Sequence, residues 1–579
     1  MQRRSGKRDA HISISSLPRL STGSDRDFDP EKPSRLNQRT LGLTHRIWLI
    51  LALFLCIIAF TRIILPHDSS LPRHGLTNPN LRPKNYLNTS DTESIPFAFC
   101  PVFGPGDDLG AKHGIHALTK SRLHLGSGAR VQRVIHKAMA GLPVTISVLG
   151  GSISACHGAG DDPISPKCYP SRFFQWWNSV FPHPASELTN GAMRRTNSAY
   201  FSYCNAHHLP DVTDLVIVEF DTDDPNDEEW LEHFELLIRS ILLRQDQPAV
   251  IILGHFSPQV QETHGFHGPE ALHSVVAQFY DVPHISIKPT LYPQWVSNPD
   301  SITNLYTDPI LANPSGHELL AEHLISYIQT QVCAAWSSVT GHTYDIVSPF
   351  ISLADGANNK KEHTDARALF GGVGIKAGIA PADYDIEFRG GGGSGGGGSS
   401  NPHLHPPAAR IRTRPNADAS RTFEEVKPYC VAANDLINPL PPSLFYGSGW
   451  HVYHPPPGTT RSSISSSTIG LSHYWYSTLP TSKLRVPLQV GAGDIAVYYV
   501  KEPRESVEGY GSAVECWVDD NYGGAVVLAN AADDVTEPTP VLEVIDHYVS
   551  RGSHYVECKL LGEEGRGVPP FKLLGIFTT

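Results

Sequence analysis

Residues 144–154 read VTISVLGGSIS, and this stretch limits the fold more than any other. A β-branched, apolar run ends at Gly150 and Gly151, and Ser152 follows at once. The run predicts a buried strand. The glycines allow a sharp turn and close backbone approach. Ser152 then stands at the C-terminal end of a strand, the edge at which open α/β sheets bind ligands. A serine there can act as a nucleophile, and its own N–H can donate to an oxyanion. A strand-to-helix turn without chemistry has the same local pattern.

The surrounding chain extends the pattern. DLVIVEF at 214–220 and AVIIL at 249–253 predict two more buried strands, with a short one at 284–287. Helical spacing occupies 129–140, 230–244, 272–280 and 314–336, and the aromatic stretch 170–180 reads as helix. Strands alternating with helices predict a parallel sheet covered on both faces, over 109–339. Residues 340–423 lose the pattern and contain GGGGSGGGGS at 390–399, a flexible-linker composition. From 424 to 579, short strand-like runs are separated by Gly, Pro, Asn and Asp, which predicts an antiparallel, jelly-roll-like β-sandwich.

The N-terminal part reads differently. Residues 1–46 are polar and predict a disordered cytosolic tail. Residues 47–65 are apolar apart from Arg62, and read as a transmembrane signal anchor. Lys32, Arg35, Arg39 and Arg46 precede it, so the positive-inside rule predicts a single-pass type II protein of the secretory pathway, in the Golgi or at the cell surface. Residues 66–108 read as a stalk, with a glycosylation sequon at Asn88. The formal charge of −12 argues against nucleic acid as a general partner. Eight of the nine cysteines lie beyond residue 65. They show no zinc-ligand spacing; an even number beyond a membrane segment suits disulfides in an oxidising lumen, with buried free thiols as the alternative, and no metal or other cofactor is expected.

Four blocks within 109–336 resemble the SGNH hydrolases, the GDSL-like esterases and carbohydrate acyl-esterases. Gly150-Gly151-Ser152 matches the nucleophile block, with Gly151 where the family often has Asp. Gly191 in TNGA matches the oxyanion-hole glycine. Asp223 stands where the family's Asn completes the hole. Asp308-Pro309-Ile310-Leu311 matches the final Asp-x-x-His block, with Leu311 in place of histidine.

The resemblance implies a flavodoxin-like three-layer domain and an acyl esterase or acyltransferase acting on glycans. It implies Ser152 as nucleophile, Ser152, Gly191 and Asp223 around the oxyanion, and Asp308 orienting a base. His317 is the expected substitute base and His255 its rival, while His157 reads as loop. An inactive SGNH fold that binds glycan or protein is the alternative, favoured by Leu311. The acidic run Asp223, Asp224, Asp227, Glu228 and Glu229 reads as a solvated helix start. The C-terminal region resembles the accessory sandwich of membrane-anchored eukaryotic members. Its Trp450, Tyr474, Trp475 and Tyr476 suit either a core or a sugar-stacking face.

Overall fold

A computed structural model describes residues 39–40, 43–44, 54, 75–87, 96–340, 405–413, 423–434, 440–454 and, with short interruptions, 473–579. The chain divides into two units, Met1–Leu71 and Pro72–Thr579. In the first, β1 (Arg39–Thr40) pairs antiparallel with β2 (Leu43–Thr44). Among the described residues no helix is long and apolar enough to cross a membrane. The signal anchor, the single-pass type II placement and the secretory-pathway localisation read from the sequence are corrected accordingly. The uncharged stretch 47–61 spans only about 22 Å as a helix, short of a ~30 Å hydrocarbon core. Within 47–65 only Phe54 is described; most of the tail, Asn88 and residues 341–404 also lie outside the described residues.

The second unit begins with a seven-stranded sheet. Its strands are β3 (Gly75–Leu76), β4 (Arg122–His124), β5 (Thr145–Gly150), β6 (Glu187–Asn190), β7 (Leu215–Glu219), β8 (Ala249–Gly254) and β9 (His284–Ser286). The order is β3-β6-β5-β7-β8-β9-β4. The five inner strands are parallel, and β3 and β4 close the edges antiparallel. The first parallel strand, β5, lies inside the sheet, with the second on one side and the third on the other. This is the flavodoxin-like order, with its switch point at the C-terminal ends of β5 and β7.

The apolar runs are continuous because both faces are covered. Ile146, Val148, Ile217 and Ile251 face a layer formed by the helices Ala129–Met139, Tyr169–Val180 and Pro314–Thr340. Leu149, Val216, Val218 and Ile252 face the helices Ser198–His208, Leu231–Leu242 and Pro269–Phe279. Alternation along each strand thus divides one apolar run between two cores. The helix Ala129–Met139 buries Val131, Val134, Ile135 and Ala138, one stripe at helical spacing.

The α/β unit starts earlier than residue 109. Tyr86 and Phe97 are buried in its core, and Cys100 is disulfide-bonded to Cys333 in the last helix. The Pro/Asn/Ser-rich composition that reads as a stalk therefore carries a few aromatic anchors that pack on the sheet.

The C-terminal region forms two mostly antiparallel sheets. The larger runs β11 (His451–Tyr453), β12 (Tyr474–Ser477), β20 (Phe571–Thr578), β14 (Ile495–Pro503) and β17 (Ala531–Ala532). On it, β10 (Tyr429–Ala432) pairs with β20 and β18 (Thr539–Asp546) pairs with β14. The smaller sheet runs β13 (Lys483–Val490), β19 (Gly552–Leu560), β15 (Ala513–Val518) and β16 (Val526–Ala529). In β13, Leu484, Val486, Leu488 and Val490 point inward while the residues between them are exposed. Trp450 and Trp475 are buried in this core, and Tyr474 and Tyr476 are partly exposed.

The sandwich and the α/β unit share a core. Tyr498, Leu574 and Phe577 pack with the helices Ser198–His208 and Leu231–Leu242. Cys204 and Cys430 bond across the junction. Buried Arg239 reaches both oxygens of Glu425 and the carbonyls of Pro407 and Ala409. Cys156–Cys168 and Cys516–Cys558 complete the disulfides, so all eight cysteines beyond residue 65 are paired.

Candidate active site

Three segments converge at the switch point. Ser152 follows β5, Arg195 lies in the loop after β6, and Asp223 follows β7. Ser152 is only 5% exposed. Its hydroxyl donates to Asp223 Oδ1 at 3.2 Å and accepts from the Arg195 N–H at 2.9 Å. Its own N–H donates to Asp223 Oδ2 at 3.0 Å, an oxygen that also accepts from the Thr222 hydroxyl at 3.1 Å. Arg195 has φ +48°, the left-handed region that costs a non-glycine residue energy, and this conformation accompanies the turn of its N–H to Ser152.

The glycines serve close approach. A methyl group on Gly151 would overlap the Asp223 carboxylate, and one on Gly150 would overlap Ser154 and the Glu219 carbonyl. Enclosure of its carboxyl pushes Asp223 up to about 6, against the hydrogen bonds from Ser152 and Thr222 that favour the anion. Beneath it, fully buried Glu219 is raised well above the carboxylate range, first by burial and then by the Asp223 and Asp221 charges. Glu219 Oε2 accepts from Ser154 Oγ at 2.9 Å, and that hydroxyl also meets the Tyr169 hydroxyl at 2.8 Å.

The other residues singled out in the sequence are placed differently. The Gly191 N–H donates to the Val148 carbonyl at 2.9 Å, extending the strand ladder. Asp223 accepts the Ser152 N–H and so occupies the position of an oxyanion. Asp308 Oδ1 accepts the N–H groups of Ile310 and Leu311, closing its own turn. Leu311 packs against the core. His317 is fully buried, and its Nδ1 accepts the Tyr169 N–H at 3.3 Å. Burial, then neighbouring His255, lowers His317 to about 3. His255 Nε2 bonds the Ile310 carbonyl at 3.3 Å, and burial lowers this ring to about 4. His157 pairs with Asp161. Among the described residues, no histidine ring is hydrogen-bonded to the Ser152 hydroxyl; His157 meets Ser152 only through its backbone N–H, which donates to the Ser152 carbonyl at 3.1 Å.

Sequence reasoning passed over Arg195, Asn190 and Glu219. Asn190 lies beside the glycine of TNGA and ties loops together, donating to the Ser154 and Pro163 carbonyls and accepting the Ala192 N–H. A lone glutamate ending the run DLVIVEF was the available signal for Glu219. Arg195 offered none, because it acts through its backbone.

The acidic run after β7 divides. Asp223 meets Ser152, Asp224 turns inward, and Asp227 and Glu228 are exposed. His273 lies between Asp221 (2.7 Å) and Asp224 (3.0 Å) and stacks on Phe234. Burial alone would lower this histidine; the two carboxylates outweigh it and raise His273 to about 9. One ligating atom each from Asp221, Glu270 and His284 lies within 4.8 Å of the others. The Lys288 ammonium pairs with Glu270 there at 2.8 Å, so cationic side chains already balance these carboxylates.

No protein-family model matches the chain, and no curated protein matches it. Solved structures do. The chain is similar to a two-domain esterase. That esterase, active on acetylated mannans, is 18% identical over 80% of this chain and 98% of its own, with a TM-score of 0.50. Its structure co-crystallised with mannopentaose gives 18% identity over the same shares and a TM-score of 0.48. Axe2, an acetylxylan esterase from Geobacillus stearothermophilus, is 15% identical over 32% of this chain and 94% of its own, with a TM-score of 0.26. The first likeness supports the fold alone: an α/β domain built on a flavodoxin-like, mostly parallel sheet, followed by antiparallel sheets. It does not extend to the membrane-anchored type that the sequence resemblance implied.

Proposed function

We propose that this chain is a serine esterase that removes O-acyl groups from a glycan. One observation carries the reading. Ser152 Oγ sits at the switch point of a flavodoxin-like sheet, between a backbone N–H and a carboxylate. A hydroxyl so placed can attack an ester carbonyl and form an acyl-serine. Water as acceptor gives hydrolysis, and a sugar hydroxyl gives acyl transfer through the same intermediate. The acetylated mannan substrate of the structurally similar two-domain esterase supports an O-acetyl glycan as the substrate class. Asp308 and His317 then serve the fold around the site, through a turn and a buried stacking contact.

A second reading is favoured by Leu311 and by the occupied Ser152 N–H. It makes the site a closed one on an esterase fold that binds glycan without turnover. Acetate release from acetylated mannan and xylan by the full chain, compared with Ser152→Ala, separates the two. The esterase reading expects release that vanishes in Ser152→Ala, and labelling of Ser152 by a serine-reactive phosphonate. Absence of both outcomes favours the binding reading.

A further inference from the structure

We propose that Asp223 is the general base of this site and takes the Ser152 proton directly. This rests on the esterase reading above. Among the described residues the Ser152 hydroxyl donates to Asp223 Oδ1 and accepts from the Arg195 N–H. The imidazole candidates bond other groups, each through one ring nitrogen, and none bonds the Ser152 hydroxyl: His317 with Tyr169, His255 with Ile310, His157 with Asp161. The resemblance places an asparagine at this position, where its amide would donate to the oxyanion. A carboxylate cannot donate in its ionised form; it accepts, and its Oδ1 already accepts the hydrogen bond of the Ser152 hydroxyl.

The steps balance. As Ser152 Oγ bonds to the acyl carbon, its proton passes to Asp223 Oδ1 and the carbonyl becomes an oxyanion. Neutral Asp223 is then a weaker acceptor, so the Ser152 N–H is freed toward that oxyanion, beside the Arg195 N–H. The intermediate collapses, the bond to the sugar oxygen breaks, and that oxygen takes the proton back from Asp223. Water then attacks the acyl-serine and gives a proton to Asp223. Collapse returns this proton to Ser152 Oγ and releases the acid. Nothing beyond ester and water is consumed.

The surroundings suit this role. Asp223 is met by the Ser152 N–H and hydroxyl and by the Thr222 hydroxyl, with the Asp224 charge beside it and buried Glu219, raised well above the carboxylate range, coupled to it through charge. Enclosure holds Asp223 near 6, far closer to neutrality than an open carboxylate, where a base is most effective. Gly151 provides the space that brings the carboxylate against the serine.

The test is kcat/KM for acetate release from acetylated mannan by the full chain, from pH 4.5 to 8.5, for wild type, Ser152→Ala and Asp223→Asn. Wild type is expected to gain about tenfold between pH 5 and 7, as a base with a pKa near 6 ionises. Asp223→Asn, nearly isosteric, is expected to lose about 10²–10⁴-fold and its pH limb with it. Melting curves establish that the variant is folded. Two results each overturn the proposal: Asp223→Asn retaining or gaining activity while Ser152→Ala is dead, or a wild-type profile with no limb near pH 6. The first leaves the esterase reading intact, whereas an inactive, unlabelled wild type removes that reading itself.

Discussion

His273 offers the sharpest test of the interior beside the site. Its ring is enclosed between Asp221 and Asp224, the two aspartates flanking Asp223, and is held charged by both. His273→Gln keeps hydrogen-bonding capacity and removes the cation, leaving two buried carboxylates without it. A rise from 6.5 to about 9 corresponds to about 3 kcal/mol of favourable interaction. Removing one partner of a buried ionic group costs about 3–5 kcal/mol, the same order. The sign follows from the raised value. The stabilisation is complete below pH 6.5 and is lost as pH rises through 9, where the folded-state proton leaves. Urea unfolding of both proteins with disulfides intact, at pH 6.5 and 9.5, reads the difference. The variant is expected to be about 3 kcal/mol less stable at pH 6.5, with most of that gap closed at pH 9.5. A gap below about 1 kcal/mol at pH 6.5, or one that does not narrow with pH, would refute the buried ion triad.

Two further outcomes follow from packing and cross-linking. Gly151→Ala places a methyl group on the Asp223 carboxylate, so phosphonate labelling of Ser152 is expected to fall sharply, with a stability loss of about 1–3 kcal/mol; unchanged labelling contradicts the contact. Limited proteolysis is expected to cut within 341–404, where the Gly/Ser repeat lies, and to leave fragments that separate on a gel only after reduction, because Cys204–Cys430 joins them; separation without reductant contradicts that bond.

The strand cores were legible because their signal is local. LVIV and AVIIL are continuous apolar runs and TISVLG is buried from Ile146 onward, as a strand in a sheet covered on both faces is. KLRVPLQV alternates, and it is half exposed as alternation requires. The serine after two glycines was equally legible, since a strand end fixes where its next residue stands. The segment 47–65 shows the limit of the same method. Its composition suggested a span, yet its uncharged part is short for one, and no described helix qualifies.

Ser152 and its place at a sheet's C-terminal edge were determined by the sequence alone, through periodicity and turn chemistry acting over a few residues. The tertiary structure alone decided what Ser152 meets. Asp223 lies 71 residues on and Arg195 43 residues on, and they reach the serine because parallel pairing of β6, β5 and β7 brings three strand ends together. Cys204 finds Cys430 across 226 residues in the same way. Helix and strand periods record which face a residue takes. The partner on that face is set by chain closure and packing, which no local period encodes.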